Sequence, residues 1–112
     1  MRAWVTRGQH RELLYMGRYM VQEIYDKLTE TIGSYAYAVD SDAEARLVSQ
    51  EMHLADMLAR APAASLGDIA MKIDHLEYRA LRDGGHYTAE DAGMDLIISI
   101  AADARRLLNG GA

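Results

Sequence analysis

Apolar positions recur along this chain at intervals of three and four residues, with almost no two-residue alternation, so the pattern predicts helices and no sheet. The first periodic stretch covers about residues 10–37, where Leu13, Gly17, Met20, Val21, Ile24, Leu28, Ile32 and Tyr35 share one face. At about 1.5 Å per residue such a helix is roughly 40 Å long. Within it, Gly17 is expected to mark a close helix crossing and Gly33 a bent or frayed last turn, since each glycine is about 1 kcal/mol less favourable than alanine. A second helix, about 42–61, is expected to turn Leu47, Val48, Leu54, Leu58 and Ala61 inward. A third, about 66–82, carries Ile69, Ile73, Leu76 and Ala80. A fourth, about 89–108, carries Leu96, Ile97, Ile100, Ala104 and Leu107. Residues 1–9 are left as a short N-terminal arm.

The breaks between these stretches carry their own chemistry. Ser41-Asp42-Ala43-Glu44, Ser65-Leu66-Gly67-Asp68 and Thr88-Ala89-Glu90-Asp91 each place a hydroxyl where a helix would begin and a carboxylate three residues later. Such a pair can satisfy orphan N–H groups reciprocally, and the acid favours the positive end of the helix dipole. Pro62 disfavours helical geometry at Ala61. Asp83-Gly84-Gly85-His86-Tyr87 reads as a turn, and Asn109-Gly110-Gly111 closes the last helix after Arg105 and Arg106. Short connections favour antiparallel neighbours. The expected fold is therefore all-α: one domain, a four-helix up-down bundle with a long first helix.

Composition sharpens this reading by exclusion. Half of the 112 residues are apolar, with no Phe and no Cys, so a core is possible while disulfides, thiolate metal sites and cysteine nucleophiles are not. The opening residues lack the apolar run of a signal peptide, and no uncharged apolar stretch approaches the length of a membrane span. The expectation is a cytoplasmic protein without a membrane role. A net charge of −5 argues against a nucleic-acid partner. The charge is uneven, however: Arg2, Arg7, Arg11 and Arg18 against Glu12 make the first 18 residues about +3, and the remainder about −8.

From Leu58 to Lys72 the chain reads LARAPAASLGDIAMK. This stretch resembles a group of small, uncharacterised all-helical proteins from alphaproteobacteria and their mobile elements. In them a charged helix ends at a Pro-Ala-Thr/Ser-Thr/Ser-Leu-like turn, followed by an Ala-x-Lys helix. Pro62, Ala63, Ser65, Leu66, Ala70 and Lys72 carry the match. Ala64 stands where the family often has a hydroxyl residue, and Asp68 where it is often apolar or glycine. The resemblance implies a helical domain and no particular chemistry. In physical terms, Pro62 stops one helix, Ser65 caps the next, and Leu66 is expected to pack beneath the reversal.

The candidates for chemistry are sparse. His53 and Asp56 lie three apart on one helix, and Asp74, His75 and Glu77 cluster on the next, a donor set suited to zinc or iron. Di-iron bundles use Glu-x-x-His pairs, yet Gln50 and Lys72 occupy the positions three before His53 and His75. Ser34, Ser49 and Ser99 lack a nucleophile elbow, and Gly84-Gly85-His86 is too short for a phosphate loop. No enzyme activity, metal or cofactor is expected.

The first helix offers more. Tyr15 and Tyr19 fall nearly opposite its apolar stripe, with Met16 beside them, Trp4 able to fold over from the arm and Arg11 at the periphery. Aromatic residues and Met are enriched at protein interfaces. The expectation is an interaction or accessory protein that homodimerises through Trp4, Arg11, Tyr15, Met16 and Tyr19, unless these side chains cover another helix of the same chain. The alternatives are a small nucleic-acid-associated regulator using the basic arm, and a His/carboxylate metal-binding helical protein.

Overall fold

The structure, a computed structural model, describes residues 20–110. Over that range the chain forms α1 (Met20–Ser34), a 3₁₀ turn (Tyr35–Tyr37), α2 (Ser41–Arg60), α3 (Leu66–Arg82), a single-turn α4 (His86–Ala89) and α5 (Asp91–Leu108), with no strand among the described residues. The all-α expectation holds. The described residues nevertheless contain five helices, because the stretch expected to be a plain turn folds one turn of its own. No described helix is long and apolar enough to cross a membrane.

That extra turn follows from how α3 stops. Gly84 and Gly85 adopt φ of +64° and +89°, which glycine reaches without a Cβ penalty. The Gly85 N–H then bonds back to the Ala80 carbonyl at 2.7 Å, the long hydrogen bond of a Schellman stop. The reversed chain closes α4 immediately, and Tyr87 is buried. Thr88, expected as an N-cap, lies inside this turn and donates its hydroxyl to the Gly85 carbonyl at 2.8 Å. The residue before α5 is Glu90, which makes no side-chain cap bond. Gly93 lets α5 start hard against α4: a Cβ there would sit 1.8 Å from the Tyr87 carbonyl oxygen. Gly17 lies outside the described residues, while the surroundings of Gly33 are open.

Of the three expected caps, Ser65 holds, and Ser41 and Thr88 do not. At α2 the cap is one residue earlier than the hydroxyl suggests, with Asp40 accepting from the Ala43 N–H at 2.8 Å. A carboxylate at that position satisfies the orphan donor and also meets the helix dipole. At α3 Ser65 accepts from the Asp68 N–H at 3.2 Å, and Asp68 reaches one residue further back than in the standard box, to the Ala64 N–H at 2.8 Å. The Leu66 expectation fails. Leu66 is 75% exposed, and Ala63, at 2%, is the residue buried at the reversal.

The apolar centre lies between α1 and α2, where Val21, Ile24 and Leu28 meet Leu54, Leu58 and Ala61, with Met20 and Met71 half-buried against them. Full burial of each such leucine contributes about 1.5–3 kcal/mol. Two residues expected inside, Val48 and Ile73, are instead 43% and 44% exposed. The inward stripe of α2 runs through Glu51, Leu54, Ala55 and Leu58, and that of α3 through Asp68, Ile69, Lys72 and His75. A purely apolar reading of the stripes misses this rotation, since the charges go inward only because partners are waiting.

Candidate functional site

Helix α3 holds two buried ionic centres, one near each end. In the first, Lys72 is completely buried and donates to Asp103 Oδ2 at 2.6 Å, to Ser99 Oγ at 2.8 Å and to the Ala61 carbonyl at 2.5 Å. All three ammonium donors are therefore used. Asp103 in turn accepts from Arg106 at 2.9 Å, and Arg106 also donates to the Ala63 carbonyl. The carbonyls freed by the break at Pro62 are thus held by side chains from α3 and α5. The Leu58–Lys72 turn is locked by Lys72 as well as by its proline and serine.

The second centre surrounds Glu51 of α2, which is 2% exposed. Its carboxylate accepts from the Tyr35 hydroxyl at 2.6 Å, from Arg82 at 3.1 and 3.5 Å and from Arg79 at 3.4 Å. Both arginines also reach Asp83, at 3.4 and 3.5 Å. Each covers an aromatic ring: Arg79 lies 4.4 Å from the Tyr87 centroid, and Arg82 5.0 Å from that of Tyr78. Sequence position places these groups together. The 3₁₀ turn after α1 presents Tyr35, and positions 75, 79 and 82 share a face of α3.

The electrostatics follow from burial. The Tyr35 phenol is pushed up to about 12, by desolvation and then by its hydrogen bond to Glu51. His75 is lowered to about 4, mainly because burial disfavours the imidazolium and Arg79 adds repulsion. Burial opposes the charge on Arg82, but the hydrogen bond and charge of Glu51 outweigh it and raise its pKa. At neutral pH the His75 imidazole is therefore neutral and the Tyr35 phenol protonated, and neither is poised to exchange a proton near neutrality. Among the described residues, His75 Nε2 and Arg79 Nε are buried without a hydrogen-bond partner.

Outside this centre lies an open groove of about 480 Å³. Ile32, Val48 and Met52 line its apolar side, and Tyr35, Tyr78 and Arg82 its polar side. A smaller slot of about 90 Å³ opens on the other side of Met52 and Arg79, between α2 and α5. A third pocket of about 180 Å³ lies between α1 and α3, bordered by Tyr25, Asp74 and His75. There Tyr25 donates its hydroxyl to Asp74, and that bond is the first cause of its raised pKa.

The sequence candidates are dispersed. Trp4, Arg11, Tyr15, Met16 and Tyr19 lie outside the described residues. His53 is exposed, Asp56 pairs with Arg60 at 3.2 Å, His75 points inward, and Asp74 and Glu77 are exposed. Among the described residues no three His, Cys, Asp or Glu side chains gather in a way that could hold a metal ion. Ser34 donates to the Glu30 carbonyl at 2.9 Å, Ser99 serves Lys72, and Ser49 is exposed. The sequence does not single out Glu51 or Asp103, and it offers Lys72 and Arg106 only as part of the turn pattern and of the last helix's C-terminus. Their signal is a lone charge inside an apolar stripe, as with Lys72 between Ile69 and Leu76 or Asp103 between Ile100 and Leu107. Comparison with family models, with curated proteins and with solved structures gave no match.

Proposed function

We propose that this chain is a non-enzymatic, all-helical accessory protein of a bacterial cytoplasm. In this reading it works by protein–protein contact and self-associates as a homodimer through Trp4, Arg11, Tyr15, Met16 and Tyr19. Its four longer helices are taken as an up-down bundle. The observation that carries the reading is the groove beside Glu51: an apolar wall with Val48 at 43% and Met52 at 62% exposure, over an ionic floor already neutralised by its own partners. Exposed apolar side chains gathered in a groove favour a partner surface over a small reactive substrate. The likeness of the Leu58–Lys72 turn to small helical alphaproteobacterial proteins supports the bacterial setting.

The test is sedimentation equilibrium of the full chain and of the Y15A/Y19A variant. The expected result is a reversible dimer that weakens at least about tenfold in the variant, a loss of about 1.4 kcal/mol or more, with helix content unchanged. Equal association of the two proteins contradicts the proposed interface.

A further inference from the structure

The slot between α2 and α5 has the makings of a receptor for a cationic side chain, and we propose that it takes an arginine from the basic N-terminal segment of a second copy of this chain. The inference rests on the self-association reading above and names the surface that the segment meets. The slot's walls are short and apolar: Ala55 and Ala59 from α2, Ala92 from α5, with Met52 on one side. Its remaining lining is acidic, with Asp56, Glu90 and Asp95, and Tyr87 and Arg79 complete it. Its volume of about 90 Å³ corresponds to about three waters' share of the liquid, enough for the end of one long side chain.

The charges around the slot do not balance. Arg79 is already met by Glu51 and Asp83, and Asp56 by the exposed Arg60 at 3.2 Å. Glu90 and Asp95 have no ion-pair partner among the described residues. A second, independent feature points the same way. Tyr87 is 1% exposed, and its hydroxyl makes no hydrogen bond among the described residues although the side chain lines the slot. Buried phenols normally find a partner. A guanidinium entering here could donate to the carboxylates and to the phenol oxygen, while its methylene stem lay along the alanines and Met52.

An arginine suits this shape better than a compact cation, because its planar fork binds carboxylates bidentately and is weakly hydrated. The chain supplies the donor itself. Its first 18 residues hold four arginines, no lysine and a single acid, against a remainder of about −8. If each copy offers one segment and one slot, two reciprocal contacts close a two-fold dimer without propagating into a fibre.

The experiment is sedimentation equilibrium of the full-length chain at about 50 and about 300 mM salt, a range over which exposed charge pairs become screened. Three variants accompany the wild type: D56N/E90Q/D95N in the slot, R2Q/R7Q/R11Q/R18Q in the segment, and their combination. Asp56, Glu90 and Asp95 are exposed and the replacements near-isosteric, so helix content by circular dichroism should stay at the wild-type level. The milder Y87F tests the slot independently through the phenol oxygen alone. The account predicts a dimer that weakens with salt and weakens at least about tenfold in either charge variant. It predicts almost no further loss in the combination, because both variants remove one interaction. Y87F is expected to weaken the dimer about threefold, the scale of one hydrogen bond. A wild-type dimer indifferent to the slot variants overturns the slot and leaves self-association standing. A dimer sensitive to the slot but not to the arginines overturns the named occupant. A wild type that stays monomeric overturns the self-association reading and this one with it.

Discussion

The two ionic centres on α3 use the same ingredients to opposite ends. The Lys72 contacts and the Arg106–Asp103 bond are short, between 2.5 and 2.9 Å, and every ammonium proton has an acceptor. Around Glu51 the arginine contacts are longer, 3.1 to 3.5 Å, the centre borders an open groove, and two polar atoms nearby have no partner among the described residues. The first centre ties α2, α3 and α5 to the turn at Pro62. The second forms the floor of the surface on which we place recognition. A buried ion pair is weak evidence of net stability, since desolvation offsets much of its Coulomb gain. Lys72 matters mainly because removing either partner strands the other, and because it caps a carbonyl that the proline break leaves open.

Breaking the closed centre should have the largest effect. Lys72→Met leaves Asp103 buried without its cation, and the expected loss is about 3–5 kcal/mol in urea unfolding. Adding Asp103→Leu should recover most of that loss. A K72M protein as stable as wild type would show that the turn does not depend on this pair. Gly93→Ala comes next. Its Cβ would fall 1.8 Å from the Tyr87 carbonyl, so α4 and α5 must separate. Overpacking of this kind costs about 1–3 kcal/mol, and the slot between α2 and α5 should be disturbed along with it. A thermal midpoint unchanged from wild type would show that α4 and α5 are not in close contact.

The open centre should show itself through pH. His75 titrates near 6.5 when unfolded and near 4 when folded, so between these values the unfolded chain binds more protons. Stability is therefore full above about pH 6.5 and falls as pH drops toward 4, by up to about 3 kcal/mol. The groups around it are Glu51 of α2, Asp74, Tyr78, Arg79 and Arg82 of α3, and Tyr87 of α4. Denaturant midpoints measured from pH 7.5 to 4.5 should slope for wild type and flatten markedly in His75→Gln. Parallel slopes for the two proteins would place the pH response elsewhere. The smallest effect is at the α3 cap, where Ser65→Ala should cost about 1 kcal/mol. Because Asp68 still reaches Ala64, a loss well above that would mean the two caps act as one unit.

These differences also explain what the sequence could disclose. Helical periodicity and breaks placed α2 and α3 to within a residue, because Pro62, Ser65 and the glycine pair act locally. Thr88 misled because the cap pattern is also local, whereas α4 forms to bury Tyr87 against His75 and Arg79 of α3. Val48 and Ile73 mislead for the converse reason: their hydrophobicity points to the core, yet the helices rotate to bring Glu51 and Lys72 to distant counter-charges. Partners 28 to 31 residues apart in the chain, such as Glu51 with Arg79 and Arg82 or Lys72 with Asp103, leave no mark in local spacing.

We assign the cohesion of the fold to the Lys72 centre and self-association to the surface beside the Glu51 centre. Hydrogen exchange of the full chain at concentrations below and above self-association tests this assignment most directly, since protection reports local opening segment by segment. The account predicts added protection at higher concentration in Met52–Ala59 and in Glu90–Asp95, with Ser65–Lys72 unchanged. Protection that is independent of concentration, or that rises in Ser65–Lys72 alone, would contradict it.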